Sequence, residues 1–176
     1  RNFIFRNNLF INVTSTANMF CENMEWYNNT FYNCSTRNEN AVLSFATSTT
    51  KGTANYGVCI NNMFIGCAGT HDATNGWYSI EAGVSNIQAD YNFVAQMDGG
   101  PKTGFSEPHG INGGIPGFLN MGAYDFRIPS SSPAVGKGMT VPGFNADKDG
   151  RIRSSLWDIG AYEFVPDMPE NMGMEY

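Results

Sequence analysis

The stretch Cys59-Ile60-Asn61-Asn62-Met63-Phe64-Ile65-Gly66-Cys67 decides the fold, because the chain repeats its pattern. Copies occur at residues 5–13 and 26–34, and a weaker copy follows at 89–94. We take the second residue of each central pair as the anchor. The anchors are Asn8, Asn29, Asn62 and Asn92, at steps of 21, 33 and 30 residues. Repeats with a period of about 20–50 residues indicate a stacked architecture.

Three apolar columns accompany the anchors, three residues before and two and five residues after each of them. They hold Phe5, Trp26, Cys59 and Ala89, then Phe10, Phe31, Phe64 and Val94, then Val13, Cys34, Cys67 and Met97. Such columns suit coils that stack at strand spacing, about 4.8 Å. An asparagine column also fits, because Asn tolerates left-handed backbone at a bend and its amide can bond the next Asn. The alternative, unrelated hairpin turns, leaves the shared register of the columns unexplained.

A second strand per coil is predicted at residues 18–21, 42–45 and 77–80, which are short, aromatic or β-branched. No stretch shows a sustained helical period. The intervening loops differ in length, and unequal loops on one flank of a stacked fold can form a binding groove. Coils of this length, with an asparagine ladder and stacked aromatics, resemble the right-handed parallel β-helix of the pectin-lyase-like superfamily.

The C-terminal region carries a second resemblance. It contains Asp125-Phe126-Arg127-Ile128, Ser132-Pro133-Ala134-Val135, Asp147-Lys148-Asp149-Gly150 and Asp158-Ile159-Gly160-Ala161-Tyr162-Glu163. The order and spacing over residues 116–164 resemble the last coils of secreted bacterial β-helix proteins of the carbohydrate-active kind. Gly117 and Gly136-Lys137-Gly138 depart from that pattern. The resemblance implies secretion more strongly than any one activity.

These patterns divide the chain into β-helix coils at 1–97, final coils and a cap at 98–164, and a tail or linker at 165–176. We expect the cap to cover the open end of the stack, with Ile159, Ala161, Tyr162 and Phe164 in a last strand. Because Arg1 opens the chain inside the first repeat, we also expect upstream coils of the same protein.

Composition limits the partners. The 176 residues carry a net charge of −6 and no basic cluster, which argues against nucleic acid and anionic membrane. No apolar run approaches the length of a membrane span. The four cysteines, Cys21, Cys34, Cys59 and Cys67, lie mainly in apolar columns and are interpreted as buried thiols. A Cys34–Cys67 bridge between adjacent coils is the alternative.

A polyuronate lyase on this fold needs a base and a cation that neutralises the substrate carboxylate. Lys51 and Lys102 are the candidate bases, and the alternative for both is a solvated loop lysine. His71 and Asp72, in the longest corner loop, form a candidate acid/base pair or only a solvated loop tip. Trp77, Tyr78 and Glu81 are assigned to substrate binding. Glu107 and His109 are interpreted first as structural.

The resemblance also implies a possible Ca²⁺ ion. Asp147 and Asp149 are candidate ligands, although the further ligands of a complete calcium loop are missing and a tight Asp-Gly turn explains the pattern as well.

The sequence therefore predicts a secreted or cell-surface bacterial protein, the C-terminal part of a polysaccharide lyase or glycosidase acting on acidic plant or algal polysaccharide. The fragment alone is expected to be inactive. The alternative is a non-catalytic glycan-binding or adhesin-type β-helix.

Overall fold

A computed structural model describes residues 2–14, 17–36, 41–69 and 76–166. The described chain is all-β, apart from a short 3-10 turn at Met121–Ala123. Most of its strands are short and pair in parallel.

Three parallel sheets form the body. Sheet A contains, in spatial order, β1 (Phe3–Arg6), β4 (Met24–Tyr27), β10 (Val58–Ile60) and β14 (Gln88–Asp90). Sheet B contains β2 (Leu9–Ile11), β5 (Thr30–Tyr32), β11 (Met63–Ile65), β15 (Phe93–Ala95) and β16 (Ile111–Asn112). Sheet C contains β3 (Ala17–Met19), β7 (Leu43–Phe45) and β13 (Tyr78–Ile80). Two smaller sheets pair β6 (Ser35–Thr36) with β12 (Ala68–Gly69), and β8 (Thr47–Ser48) with β9 (Gly52–Thr53).

Successive strands of a repeat belong to different sheets, and within sheets A, B and C each strand pairs with the equivalent strand of the neighbouring repeat. Phe31 is aligned with Phe10 on one side and with Phe64 on the other. The rings are stacked, with centroids 4.6 Å and 4.8 Å apart and planes nearly parallel. Trp26 is likewise aligned with Phe5 and with Cys59. The predicted register of these two columns is therefore confirmed.

The third column is only half buried. Cys34 and Cys67 lie in the core, whereas Val13 and Met97 are 37% and 47% exposed. These two residues belong to the first and last copies of the motif. Burial of this column is therefore confined to its two middle members.

The two central residues of each motif, Asn-Asn in three copies and Tyr91-Asn92 in the fourth, have different roles. The first residue of the pair, not the anchor, adopts the left-handed conformation; Asn7, Asn28, Asn61 and Tyr91 have φ between 50° and 59°. This corrects the expectation that the anchor occupies the bend. Asn is among the few residues that adopt this conformation at low cost.

The C-terminal region does not cap the stack. Residues 116–164, called here the lateral segment, lie along the outer faces of sheets A and B. Their apolar side chains meet outward residues of the strands, as in the clusters of Ile128, Ala134 and Ile159 with Met63 and Phe93, and of Val141 and Trp157 with Ile60. No strand forms over 159–164. Sheets A and B have apolar residues on both faces, and this segment buries the outer one.

The first asparagines also bind the lateral segment. Asn7 Nδ2 donates to Ala146 O at 2.7 Å, and Asn28 Nδ2 donates to Asp158 O at 3.0 Å. Asn61 exchanges two bonds with the backbone of Met139. The bend between sheets A and B is thus the line along which the lateral segment is attached.

The end of the stack after β14 and β15 is covered instead by residues 98–113, called here the end segment. It supplies β16 to sheet B and places Phe105 against the core. The four cysteines are free thiols. Cys21 is exposed, and the other three are buried.

Candidate functional site

The outer face of sheet C carries a line of polar side chains, and two of the predicted residues, Lys51 and Glu81, lie at its border. Asn18, Ser44 and Ser79 are aligned on adjacent strands; Asn18 is exposed, Ser79 is half-buried and Ser44 is buried. Neighbouring strand residues, Met19, Leu43, Phe45 and Tyr78, pack into the core, so these three point to the opposite face. Ser79 Oγ donates to Ser44 Oγ at 3.2 Å. In the described chain, no residue of sheet C belongs to the clusters formed by the lateral segment.

A hairpin formed by β8 and β9 borders this face and carries Lys51 at its turn. The Lys51 ammonium lies 4.9 Å from the centroid of the Phe20 ring. Gly52 has φ of 111°, and a Cβ there would lie 2.5 Å from the Phe20 carbonyl oxygen. Glu81 joins the hairpin to sheet C, because its Oε2 accepts a bond from Thr47 N at 3.1 Å. Lys51 and Glu81 are both exposed.

Trp77 and Tyr78, assigned to substrate binding, face inward. Trp77 is buried and meets Phe105 edge-on, with ring centroids 5.7 Å apart. The Tyr78 hydroxyl donates to Glu107 Oε1 at 2.7 Å, and burial raises its pKa. An aromatic platform for a sugar needs an exposed ring face, so these two residues do not provide one.

Lys102, a candidate base, is buried rather than directed at a groove. Its Nζ donates to the Cys67 carbonyl oxygen at 2.7 Å. Its backbone N–H donates to Asn112 Oδ1 at 2.7 Å. Lys102 therefore attaches the end segment to the third repeat. His71 and Asp72, the candidate acid/base pair, lie outside the described residues.

The four anchors form one hydrogen-bonded line, called here the asparagine row. Asn29 Oδ1 accepts bonds from the backbone N and the Nδ2 of Asn8 at 3.0 and 2.9 Å. Asn62 Oδ1 accepts the same pair from Asn29, and Asn92 Oδ1 accepts it from Asn62. Asn29, Asn62 and Asn92 are fully buried. The row thus has a direction, with every donor pair pointing towards the end segment.

Glu107 ends the asparagine row. Its Oε2 and Oε1 accept bonds from the backbone N and Nδ2 of Asn92 at 2.9 and 2.8 Å, in place of a further asparagine oxygen. Burial raises the pKa of this carboxyl group, while the bonds from Asn92 and Tyr78 oppose that shift. The structural interpretation of Glu107 agrees with this geometry. Its exact role was missed, because nothing in the local sequence pairs it with an anchor 15 residues earlier.

His109 pairs with a carboxylate on the surface. Its Nδ1 lies 2.7 Å from Asp90 Oδ2, and its ring stacks on Tyr91 with centroids 4.5 Å apart. Bonds from His109 and Tyr91 lower the pKa of Asp90, against a desolvation effect that raises it. The pair is an exposed acid/base group at the junction of sheet A and the end segment.

Asp147 and Asp149 form a turn rather than a cation site. Asp147 Oδ1 accepts bonds from the backbone N–H groups of Asp149 and Arg151, and its Oδ2 accepts one from Glu163 N. Across the described residues, no three His, Cys, Asp or Glu side chains are grouped to hold a metal ion. A Ca²⁺ ion would have to displace these N–H donors, so the residues do not fit that group.

A buried ion pair lies within the lateral segment. Arg153 pairs with Glu163 at 3.2 Å rather than with the Asp158 carboxylate, and both partners are almost fully buried. Glu163 also accepts bonds from the backbone N–H groups of Ser154 and Asp158. Burial raises the pKa of Asp158 to about 6, although Phe164 N and Gly136 N donate to its carboxylate. These charges organise the lateral segment.

No family model and no curated protein matches this chain. Within the part that the structure describes, no helix has the length and apolar character needed to cross a bilayer.

Proposed function

We propose that this chain is a right-handed parallel β-helix from an extracellular, carbohydrate-active bacterial protein. The in-register parallel sheets and the asparagine row support this fold, since both require equivalent positions to stack from coil to coil. The resemblance of residues 116–164 to secreted proteins supports the location.

The polysaccharide is proposed to bind along the outer face of sheet C. The observation that carries this proposal is the exposed amide of Asn18 and the half-buried hydroxyl of Ser79, on the two strands that flank the buried Ser44, on a face outside the lateral segment's clusters. Such groups can exchange hydrogen bonds with sugar hydroxyls across successive coils. Lys51 supplies a cation at the border of this face, which suits an acidic sugar.

The described part is proposed to bind glycan without cleaving it. Lys102 donates to the Cys67 carbonyl oxygen, and Tyr78 donates to Glu107. These side chains join segments of the protein instead of facing a groove. A lyase needs a base, a proton donor and a neutralising cation around one sugar. In a catalytic parent protein, that set would lie in further coils. The second candidate function is that of a non-catalytic surface β-helix. It is favoured by the same observation, that Lys102 and Tyr78 hold segments of the protein together.

Binding is tested by titrating the full chain with polygalacturonate, alginate and a neutral glucan. We expect the two polyuronates to bind better than the glucan. Asn18→Ala combined with Ser79→Ala should weaken binding about tenfold or more, because each substitution removes a hydrogen-bonding group. Thr140→Ala combined with Ser155→Ala, two exposed polar changes in the lateral segment, is the matched control.

Equal affinity in both double variants would contradict the proposed surface. Cleavage is followed by the ultraviolet absorbance of unsaturated uronide, with and without added Ca²⁺. Robust product from this chain, abolished by Lys51→Ala or Lys102→Ala, would overturn the non-catalytic proposal.

A further inference from the structure

All three main sheets end on the same side of the molecule. β1, β2 and β3 are the edge strands of sheets A, B and C, and they belong to the first repeat. Together they form the face called here the N-terminal face. The opposite side is covered by the end segment, so the two ends of the stack differ.

The outward backbone groups of this face can be identified from the bonds made inward. Phe3 N and Asn7 N donate to the second repeat, so the N–H groups of Ile4 and Arg6 point away from it. Asn12 N donates to Tyr32 O, and Asn8 O accepts from Thr30 N. Leu9 and Ile11 therefore present their backbone groups outward as well.

An apolar cavity opens beside these edges. It has a volume of about 190 Å³ and is lined by Phe10, Trp26, Phe31, Val42 and Leu43 among others. One side of the Phe10 ring stacks on Phe31, and no ring of the described chain stacks on its other side. Phe3 is 50% exposed. Open strand edges beside exposed apolar surface form a template for another chain segment.

The asparagine row specifies the chemistry of that segment. Asn29, Asn62 and Asn92 each accept two N–H groups at Oδ1 from the preceding anchor. Asn8 Oδ1 accepts no such pair within the described part of the chain. Asn8 donates to the following repeat in the same way as Asn29 and Asn62 do. By analogy with those anchors, the two donors that its Oδ1 would accept are one backbone N–H and one side-chain amide.

We propose that the N-terminal face binds a further parallel coil of the same repeat, whose anchor asparagine donates its backbone N and Nδ2 to Asn8 Oδ1. The aromatic residue two positions after that anchor stacks on Phe10. A second copy of this chain fits poorly, because a head-to-head pair sets one Asn8 Oδ1 against the other. Head-to-tail stacking is blocked where Glu107 and Phe105 cover the far end. This proposal is independent of glycan binding.

The test adds such a coil to the full chain. A copy of residues 1–21 is fused before Arg1, which reproduces the 21-residue step between Asn8 and Asn29. The matched control carries aspartate in place of the anchor within the added copy, because aspartate has a similar size and no amide donor. Backbone hydrogen exchange is measured by NMR on the parent, the extended protein and the control.

We expect the amides of Ile4, Arg6, Leu9 and Ile11 to exchange about tenfold more slowly or better in the extended protein only. The amides of Glu25 and Phe31, already inside the sheets, serve as internal references. Unchanged exchange in the extended protein, or equal protection in the control, would overturn the proposal. A parent that sediments as a dimer with these four amides already protected would overturn it in favour of a second copy.

Discussion

The stacked repeats of residues 3–97 and the lateral segment of residues 116–164 reach burial by different means. In the repeats, the same contact recurs from coil to coil, as in the rings of Phe10, Phe31 and Phe64. In the lateral segment, each contact occurs once, and charged groups such as Arg153 and Glu163 are buried among them. The repeats therefore depend on alignment, whereas the lateral segment depends on a few specific bonds.

The difference teaches how a short-stranded stack obtains a second core. Strands of about three residues offer little surface each, and their outer faces in sheets A and B remain apolar. The lateral segment covers those faces and is hydrogen-bonded to the first residues of the motif pairs, Asn7, Asn28 and Asn61. The outer face of sheet C lies outside the lateral segment's clusters and is the proposed glycan-binding surface.

The largest effect is expected from Phe31→Ala, in the middle of the stack. The change leaves a cavity between Phe10 and Phe64 and should lower the free energy of unfolding by about 3–5 kcal/mol. Urea denaturation measures it. If the repeats are aligned as described, amide protection should fall in all three sheets; a loss confined to sheet B would contradict the shared core.

A smaller and more local effect is expected from Arg153→Met. Removing one partner of a buried ion pair leaves Glu163 uncompensated, which should cost about 3 kcal/mol. Hydrogen exchange should show loosening of the lateral segment while sheet C keeps its protection. Arg127→Met is the control, since the Arg127–Asp125 pair is much more exposed, and it should be nearly neutral. The account fails here if both variants loosen the repeats equally.

The lateral segment should also respond to pH through Asp158. Its folded pKa of about 6 lies above the ordinary value of 3.8, so the folded state holds this proton more tightly than the unfolded state. Its contribution to stability is complete below about pH 4 and declines as pH rises towards 6, by at most about 1.4 kcal/mol per pH unit. Comparing unfolding curves of the protein and Asp158→Asn across this range isolates the contribution. If the stability of the protein relative to Asp158→Asn stays constant, or increases with pH, the predicted contribution of Asp158 is refuted.

The smallest effect is expected from Lys148→Ala, an exposed side chain in the Asp147 turn. The free energy of unfolding should change by less than about 0.5 kcal/mol. A loss comparable with that of Phe31→Ala would show that the turn, rather than the repeats, controls stability.

The sequence predicts the repeats well, because a repeating column fixes both the strand and its register. The columns of Phe31 and Trp26 are examples. It does not predict where the lateral segment lies, since its contacts with Ile60 or Asn28 have no period to reveal them. Of the expected final coils and cap at 98–164, only residues 98–113 cover the end of the stack, and residues 116–164 lie along its side.

The candidate site was harder to predict, because residue type does not show the direction of a side chain. Strand alternation would place Trp77 on the same face as Ser79, but Trp77 precedes the strand and its ring is buried against Phe105. Lys102 looked solvated, but its loop folds over the end of the stack and buries it. The outward Asn18, Ser44 and Ser79 could have been found by applying strand alternation to sheet C.

The central claim, that equivalent residues of successive repeats lie side by side, is tested most directly by engineered disulfides. Glu25 and Val58 are aligned on adjacent strands, whereas Glu25 and Gln88 are two strands apart. With Cys21→Ser as background, Glu25→Cys combined with Val58→Cys should form a bond on mild oxidation, because neighbouring strands bring Cα atoms within disulfide reach. Glu25→Cys combined with Gln88→Cys should remain reduced. Efficient bonding in the second pair, or none in the first, would contradict the register on which the fold depends.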